Sequence, residues 1–183
     1  MSRRPGGGRG IIVRDALPAD LPTIQSIYAH HVLHGLASFE EVPPDAAEME
    51  RRYRDIVARR LPYVVVETGG RVAGYAYAGP YRTRPAYRYT VEDSVYIAPD
   101  AVGRGLGRAA LAEVIRQTTD RGFRQMIAII GDSGNRPSIA LHERLGFRRT
   151  ATLQSVGFKF GRWVDSVLMQ LGLGAGDSRL PDG

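Results

Sequence analysis

The sequence predicts an α/β domain built on a mixed, mostly antiparallel central sheet flanked by helices. The segment order carries that prediction, because strand-like and helix-like stretches follow one another as β-α-α-β-β-β-α-β-α-β-β. Size supports it: 183 residues that are 43% hydrophobic suffice for one substantial core. The longest apolar runs are strand-length, well short of the roughly 20 residues of a membrane span. One domain is therefore expected over 11–171, between a basic disordered tail at 1–10 and a frayed polar tail at 172–183.

The elements follow from local pattern. Ile11–Arg14 is a short apolar strand candidate. From Pro18 to Leu33, Leu21, Ile24, Ile27, Tyr28, His31 and Val32 share one helical face, with Pro18 tolerated near the start. Gly35–Pro44 reads as a loop. Asp45–Arg60 is a charged second helix with Asp45 as its N-cap. Leu61–Glu67 is a β-branched strand, Thr68-Gly69-Gly70 a hairpin turn and Val72–Ala78 the returning partner. A basic, proline-containing loop, Gly79–Tyr87, precedes the strand Ser94–Ala98. Phe123–Ile130 is short and apolar enough for a central strand. Pro137–Leu145 is a short helix closed by Gly146. Phe147–Val156 and Trp163–Leu171 are strands separated by GFKFGR.

Composition narrows the class. The chain has no cysteine, which removes disulfides, thiolate metal sites and a thiol nucleophile. The N-terminus MSRRPGGGRG has arginines without an apolar segment behind them and does not read as a secretory signal. A cytoplasmic location is expected. The net charge is +6, half of it from Arg3, Arg4 and Arg9. Spread basicity without an aromatic-rich face favours attraction of small anions over nucleic-acid binding. His30 and His34 are one helical turn apart, with His31 between them, but no third ligand to complete a zinc site presents itself, so no metal is expected.

The rest of the chain is organised around Glu92–Leu111, EDSVYIAPDAVGRGLGRAAL. A strand stops at Pro99 and opens into a loop holding Gly103, Gly105 and Gly107. Beyond it Leu106, Ala110, Leu111, Val114, Ile115 and Thr118 recur at helical spacing. Strand, glycine loop and helix form a layout in which free amides at a helix N-terminus grip phosphate. Gly105, Gly107 and Ala110 also satisfy the dinucleotide pattern G-x-G-x-x-A, with Asp132 as a possible ribose-binding acid. Only one β-α-β unit surrounds them, whereas that fold needs two halves. A purely structural glycine turn is the remaining alternative.

The run SVYIAPDAVGRGLGRAALAEVI followed by NRPSIALHERLGF resembles the GNAT superfamily of acyl-CoA-dependent N-acetyltransferases. The family signature is Gln/Arg-x-x-Gly-x-Gly/Ala; Gly105 and Gly107 match it, and Val102 stands where Gln or Arg is usual. IVRDALPADLPTIQSIYAHHV, FEEVPP, GPYRTRPAYRYTVEDSVYI and the terminal GFKFGRWVDSVLMQL are similar to the phosphinothricin N-acetyltransferase branch, which acetylates the α-amine of small amino-acid-like compounds. The likeness spans roughly 11–171.

That resemblance implies acetyl-CoA as co-substrate, a small amino-acid-like acceptor and a homodimer. It implies a direct, general-base-assisted attack without a covalent enzyme intermediate. Glu92 is at the family's catalytic glutamate; Asp93 beside it should face the other way on a regular strand. The backbone of Val95, Tyr96 and Ile97 would polarise the thioester carbonyl and bond the pantetheine arm. Gly103, Arg104, Gly105, Leu106, Gly107 and Arg108 would cradle pyrophosphate. His142 occupies the slot near the thioester sulfur, where it would protonate the departing thiolate or hold water. Asn135 and Ser138 would contact the cofactor. Arg82 and Arg84 would hold substrate anions, with Phe39 and Tyr77 walling the same pocket. Trp163 would serve core or dimer packing. Two rival activities are acetylation of a protein N-terminus or lysine, and non-catalytic acyl-CoA binding.

Overall fold

A computed structural model describes residues 10–181. Residues 1–9 of the expected basic tail lie outside that range. One seven-stranded sheet has the order β1-β2-β3-β4-β5-β7-β6. Its strands are β1 (Ile12–Asp15), β2 (Tyr63–Thr68), β3 (Arg71–Pro80), β4 (Thr90–Ile97), β5 (Gln125–Gly131), β6 (Arg148–Lys159) and β7 (Arg162–Gly172). All neighbours pair antiparallel except β4 and β5. The helices are α1 (Leu21–His34), α2 (Ala46–Ala58), α3 (Leu106–Asp120) and α4 (Arg136–Arg144).

Local chemistry accounts for the boundaries. Asp45 accepts the Glu48 N–H at 2.8 Å and so caps α2. Gly69 and Gly70 both take positive φ, as a two-residue primed hairpin between β2 and β3 requires. Leu106, Ala110, Leu111, Val114 and Thr118 are buried along α3, as their spacing predicts. The parallel β4–β5 pair needs a crossover, and α3 supplies it against β2, β3 and β4. Side-chain alternation divides the sheet. Tyr96 meets both Tyr75 and, from α1, Tyr28 on one face, whereas Val95 and Ile97 meet Gly107 of α3 on the other.

Three expectations change, and one pair of alternatives narrows. The strand predicted over Ser94–Ala98 begins at Thr90, so Glu92 lies inside β4 rather than ahead of it. GFKFGR is no separate linker. β6 and β7 extend through it to a two-residue turn, Phe160-Gly161, with both residues at positive φ. The tail expected from Gly172 starts too early, because Gly172 ends β7 and Leu173 is buried in the core with its N–H on the Arg124 carbonyl. Trp163 is not in the core: it is 67% exposed and meets Phe158 edge to face.

Candidate active site

The site begins where two strands part. The β4–β5 ladder runs from Thr90–Gln125 to Asp93–Ala128 and ends there. Past that point β4 stays with β3, and β5 continues with β7 as far as Gly131–Ser166. The gap between them is a cavity of about 550 Å³, with Ser94, Val95 and Tyr96 on one wall and Ala128 to Gly131 on the other.

Register decides which backbone groups the gap receives. The Ala98 N–H donates to the Ala73 carbonyl, which makes Gly74 and Ile97 a non-hydrogen-bonded pair. By alternation, Tyr96 spends its N–H and C=O on β3. Val95 and Ile97 turn theirs to the open edge. His31 Nε2 donates to the Ile97 carbonyl at 2.9 Å. Burial, the largest influence, holds that imidazole below its ordinary pKa and therefore neutral, and the acceptor fixes its proton on Nε2. Val95 is thus the first residue beyond the ladder with a free N–H, and the Tyr96 backbone is withdrawn from the expected cofactor contacts.

Glu92 and Asp93 point to opposite faces, as strand alternation predicts, and both border the cavity. Burial raises the Glu92 carboxyl to about 7; the Asp93 charge adds to the rise and Arg82 offsets part of it. A carboxylate poised near neutrality suits a general base.

His142, on α4, is buried. Its Nδ1 donates to the Ser138 carbonyl at 2.7 Å, and its Nε2 lies 3.0 Å from Asp93 Oδ2. The carbonyl can only accept, so Nδ1 carries hydrogen, and the Nε2–Oδ2 contact holds a further proton. Burial depresses the imidazole pKa, but the Asp93 hydrogen bond and charge outweigh it and the net shift is upward. The Asp93 partner therefore favours the protonated form of His142. Asp93 Oδ1 is buried without a protein partner among the described residues. Periodicity had set Asp93 aside, yet a buried acid on a strand rich in Val and Ile needs a cation, and that was the available signal.

The glycine turn adjoins these walls. Gly103 and Gly105 have φ of 77° and 80°, and no side chain caps α3. The first intrahelical bond at this end runs from Ala109 N–H to Gly105 O, which leaves the amides of Gly105, Leu106, Gly107 and Arg108 without helical partners. A Cβ on Gly107 would stand 3.3 Å from Leu141 and 3.6 Å from Ile97, so the turn lies beside the end of β4. Free amides, a helix N-terminus and an open strand edge in one row fit the diphosphate and amide arm of coenzyme A.

Other expected residues divide. Phe39, Tyr77, Asn135 and Ser138 border the cavity. Asn135 Oδ1 accepts from the Ser138 N–H and caps α4. Arg82 and Arg84 are exposed and stand outside its lining, with Arg82 over the Tyr81 ring. The α1–α2 loop contributes Ala37, Ser38 and Glu40, which sequence reasoning passed over. The rings of His30 and His34 lie 4.9 Å apart, and among the described residues no group of three acidic, His or Cys side chains could hold a metal ion.

The family model described as the acetyltransferase (GNAT) family matches residues 29–147. The chain belongs to the GNAT acetyltransferase family. It is similar to the phosphinothricin N-acetyltransferase of Alcaligenes faecalis, 56% identical over 171 residues, which are 93% of this chain and 85% of that one. It is 43% identical to the Escherichia coli L-amino acid N-acyltransferase MnaT over 88% of this chain and 93% of that one. A crystal structure of the GNAT phosphinothricin acetyltransferase of Sinorhizobium meliloti in complex with AcCoA superposes with a TM-score of 0.92. The two are 47% identical, covering 94% of this chain and 93% of that one. This GNAT acetyltransferase therefore has the mixed, mostly antiparallel architecture that its sequence predicts.

Proposed function

We propose that this enzyme moves acetyl from acetyl-CoA to the α-amine of a small amino acid or analogue of the phosphinothricin or methionine sulfoximine type. The observation that carries the reading is Glu92, a base poised at about 7 on the wall of the β4–β5 gap, close in sequence to the free Val95 N–H. The names of the similar enzymes support the acceptor class.

Acetyl-CoA, when bound, supplies a thioester acyl group. The amides of Gly105 to Arg108, with Gly103 and Arg104 shaping the turn, hold its diphosphate. The Val95 carbonyl and the Ile97 N–H would bond the pantetheine arm as an added strand would. The Val95 N–H would donate to the thioester carbonyl oxygen, where charge develops. Glu92 removes a proton from the substrate ammonium, directly or through water. The departing thiolate needs a proton, and the His142–Asp93 pair holds one beside the cavity. Arg82 and Arg84 attract the substrate's anionic groups, while Phe39 and Tyr77 wall its side chain.

Two finer points belong to this reading. The enzyme works in the cytoplasm, and it pairs as a homodimer through the β6–β7 hairpin, where Val156, Phe158, Phe160 and Trp163 are all more than half exposed. Among the described residues no helix is long and apolar enough to cross a membrane.

Thiol release from acetyl-CoA, measured with free amino acids, phosphinothricin, methionine sulfoximine and a peptide bearing a free N-terminus, tests the proposal. Turnover of the small acceptors supports it. Turnover of the peptide alone would point to a protein acetyltransferase. Tight cofactor binding without any turnover would point to a binding module.

A further inference from the structure

The chain carries 25 basic residues, and Lys159 is the only lysine among them. It belongs to GFKFGRW, the segment that the chemistry above leaves unused. Lys159 is 2% exposed. Its Nζ donates to the carbonyls of Gly35 at 3.0 Å and Ser38 at 2.6 Å, across more than 120 positions of sequence. Those carbonyls bracket the stretch of the α1–α2 loop whose Ala37, Ser38, Phe39 and Glu40 border the cavity.

The seat around this clamp is shaped to match. A Cβ on Gly131 would fall 2.0 Å from the Leu36 carbonyl oxygen, and one on Gly157 would fall 2.5 Å from the Phe39 ring. Glycine at both positions lets the loop lie directly on β5 and β6. A compact ammonium on a slender stem can enter between two carbonyls, whereas the planar fork of arginine needs more room. That requirement accounts for one lysine in a chain that otherwise uses arginine throughout.

We infer that Lys159 is a positioning residue for the amine acceptor: inserted between Gly35 and Ser38, it fixes the loop that forms the substrate-side wall, and so sets acceptor affinity and size. The cofactor-side wall, made by β4, α3 and α4, is independent of it. The inference rests on the proposed small-amine acceptor.

The test is steady-state kinetics of wild type, Lys159→Met, Lys159→Arg and Gly157→Ala, together with acetyl-CoA affinity by calorimetry. Gly157→Ala displaces Phe39 without touching the lysine, and so serves even where a lysine variant does not fold. The expected result is an acceptor KM raised about tenfold or more in each folded variant, since misplacements near 1 Å carry costs of that size or larger. kcat should change much less and the acetyl-CoA Kd stay unchanged, and arginine should not rescue. An unchanged acceptor KM in the variants of a working enzyme overturns the inference alone. So does a parallel loss of acetyl-CoA binding. Absence of wild-type turnover with every amino acid would overturn the functional reading and this inference with it.

Discussion

His142 Nε2 lies 3.0 Å from Asp93 Oδ2, with the two side chains 3% and 1% exposed. The pair binds α4 to β4 at the point where β4 and β5 separate. Removing one member of such a pair leaves an uncompensated buried charge and costs about 3–5 kcal/mol. Asp93→Asn should therefore lose on the order of 3 kcal/mol near pH 6, read by urea denaturation. The His142 pKa is raised in the folded state, so its contribution is complete below about 6.5 and fades as pH rises through the folded value. The gap between wild type and variant should narrow accordingly in alkaline buffer.

Glu92 has a linkage of the same sign with a different cause, burial of a carboxyl rather than a charged partner. Its folded pKa of about 7 exceeds the ordinary 4.5, so between those values the native state holds more protons than the unfolded chain. Stability falls as pH rises through that window. Glu92→Gln should remove this slope and melt higher than wild type at pH 8 while losing turnover. A wild-type thermal midpoint that rises from pH 5 to 7 on account of Glu92 would contradict the assignment.

Arg82 lowers the Glu92 pKa through its charge. Arg82→Met should shift the rising limb of the pH–rate profile to higher pH and raise the KM for anionic acceptors. Acetyl-CoA affinity, measured by calorimetry, should remain unchanged.

Val102 is 60% exposed ahead of the glycine turn, where the family signature has Gln or Arg. Val102→Arg should tighten acetyl-CoA binding a few-fold, on the order of 0.5–1 kcal/mol for an exposed charge contact, and the gain should shrink in high salt. Gly105→Ala should cost about 1 kcal/mol of stability, because φ is 80° there, and weaken the same affinity.

The glycine turn and α3 were legible because each has a local signal, φ freedom and helical period; Glu92 was singled out by resemblance to the family. The parting of β4 and β5 was not, since it is a property of pairing partners far apart in sequence. The same applies to the His142–Asp93 contact across 49 residues and the Lys159 clamp across 121 and 124. Strand alternation placed Asp93 correctly on the face opposite Glu92, but a period cannot say what waits there. The Phe160-Gly161 turn escaped because phenylalanine at positive φ carries no turn signal. For Trp163 the sequence left core and dimer packing both open, because its side-chain chemistry does not tell core from an exposed apolar surface.

The central claim is that Glu92 is the base, and kcat/KM of wild type and Glu92→Gln across pH 5.5–9 tests it most directly. The wild-type profile should rise with an apparent pKa of about 7 as Glu92 ionises. Glu92→Gln should retain acetyl-CoA binding, lose that limb and fall about 10²- to 10⁴-fold, the range of general-base contributions. A folded Glu92→Gln enzyme with wild-type turnover and an unchanged profile would contradict it.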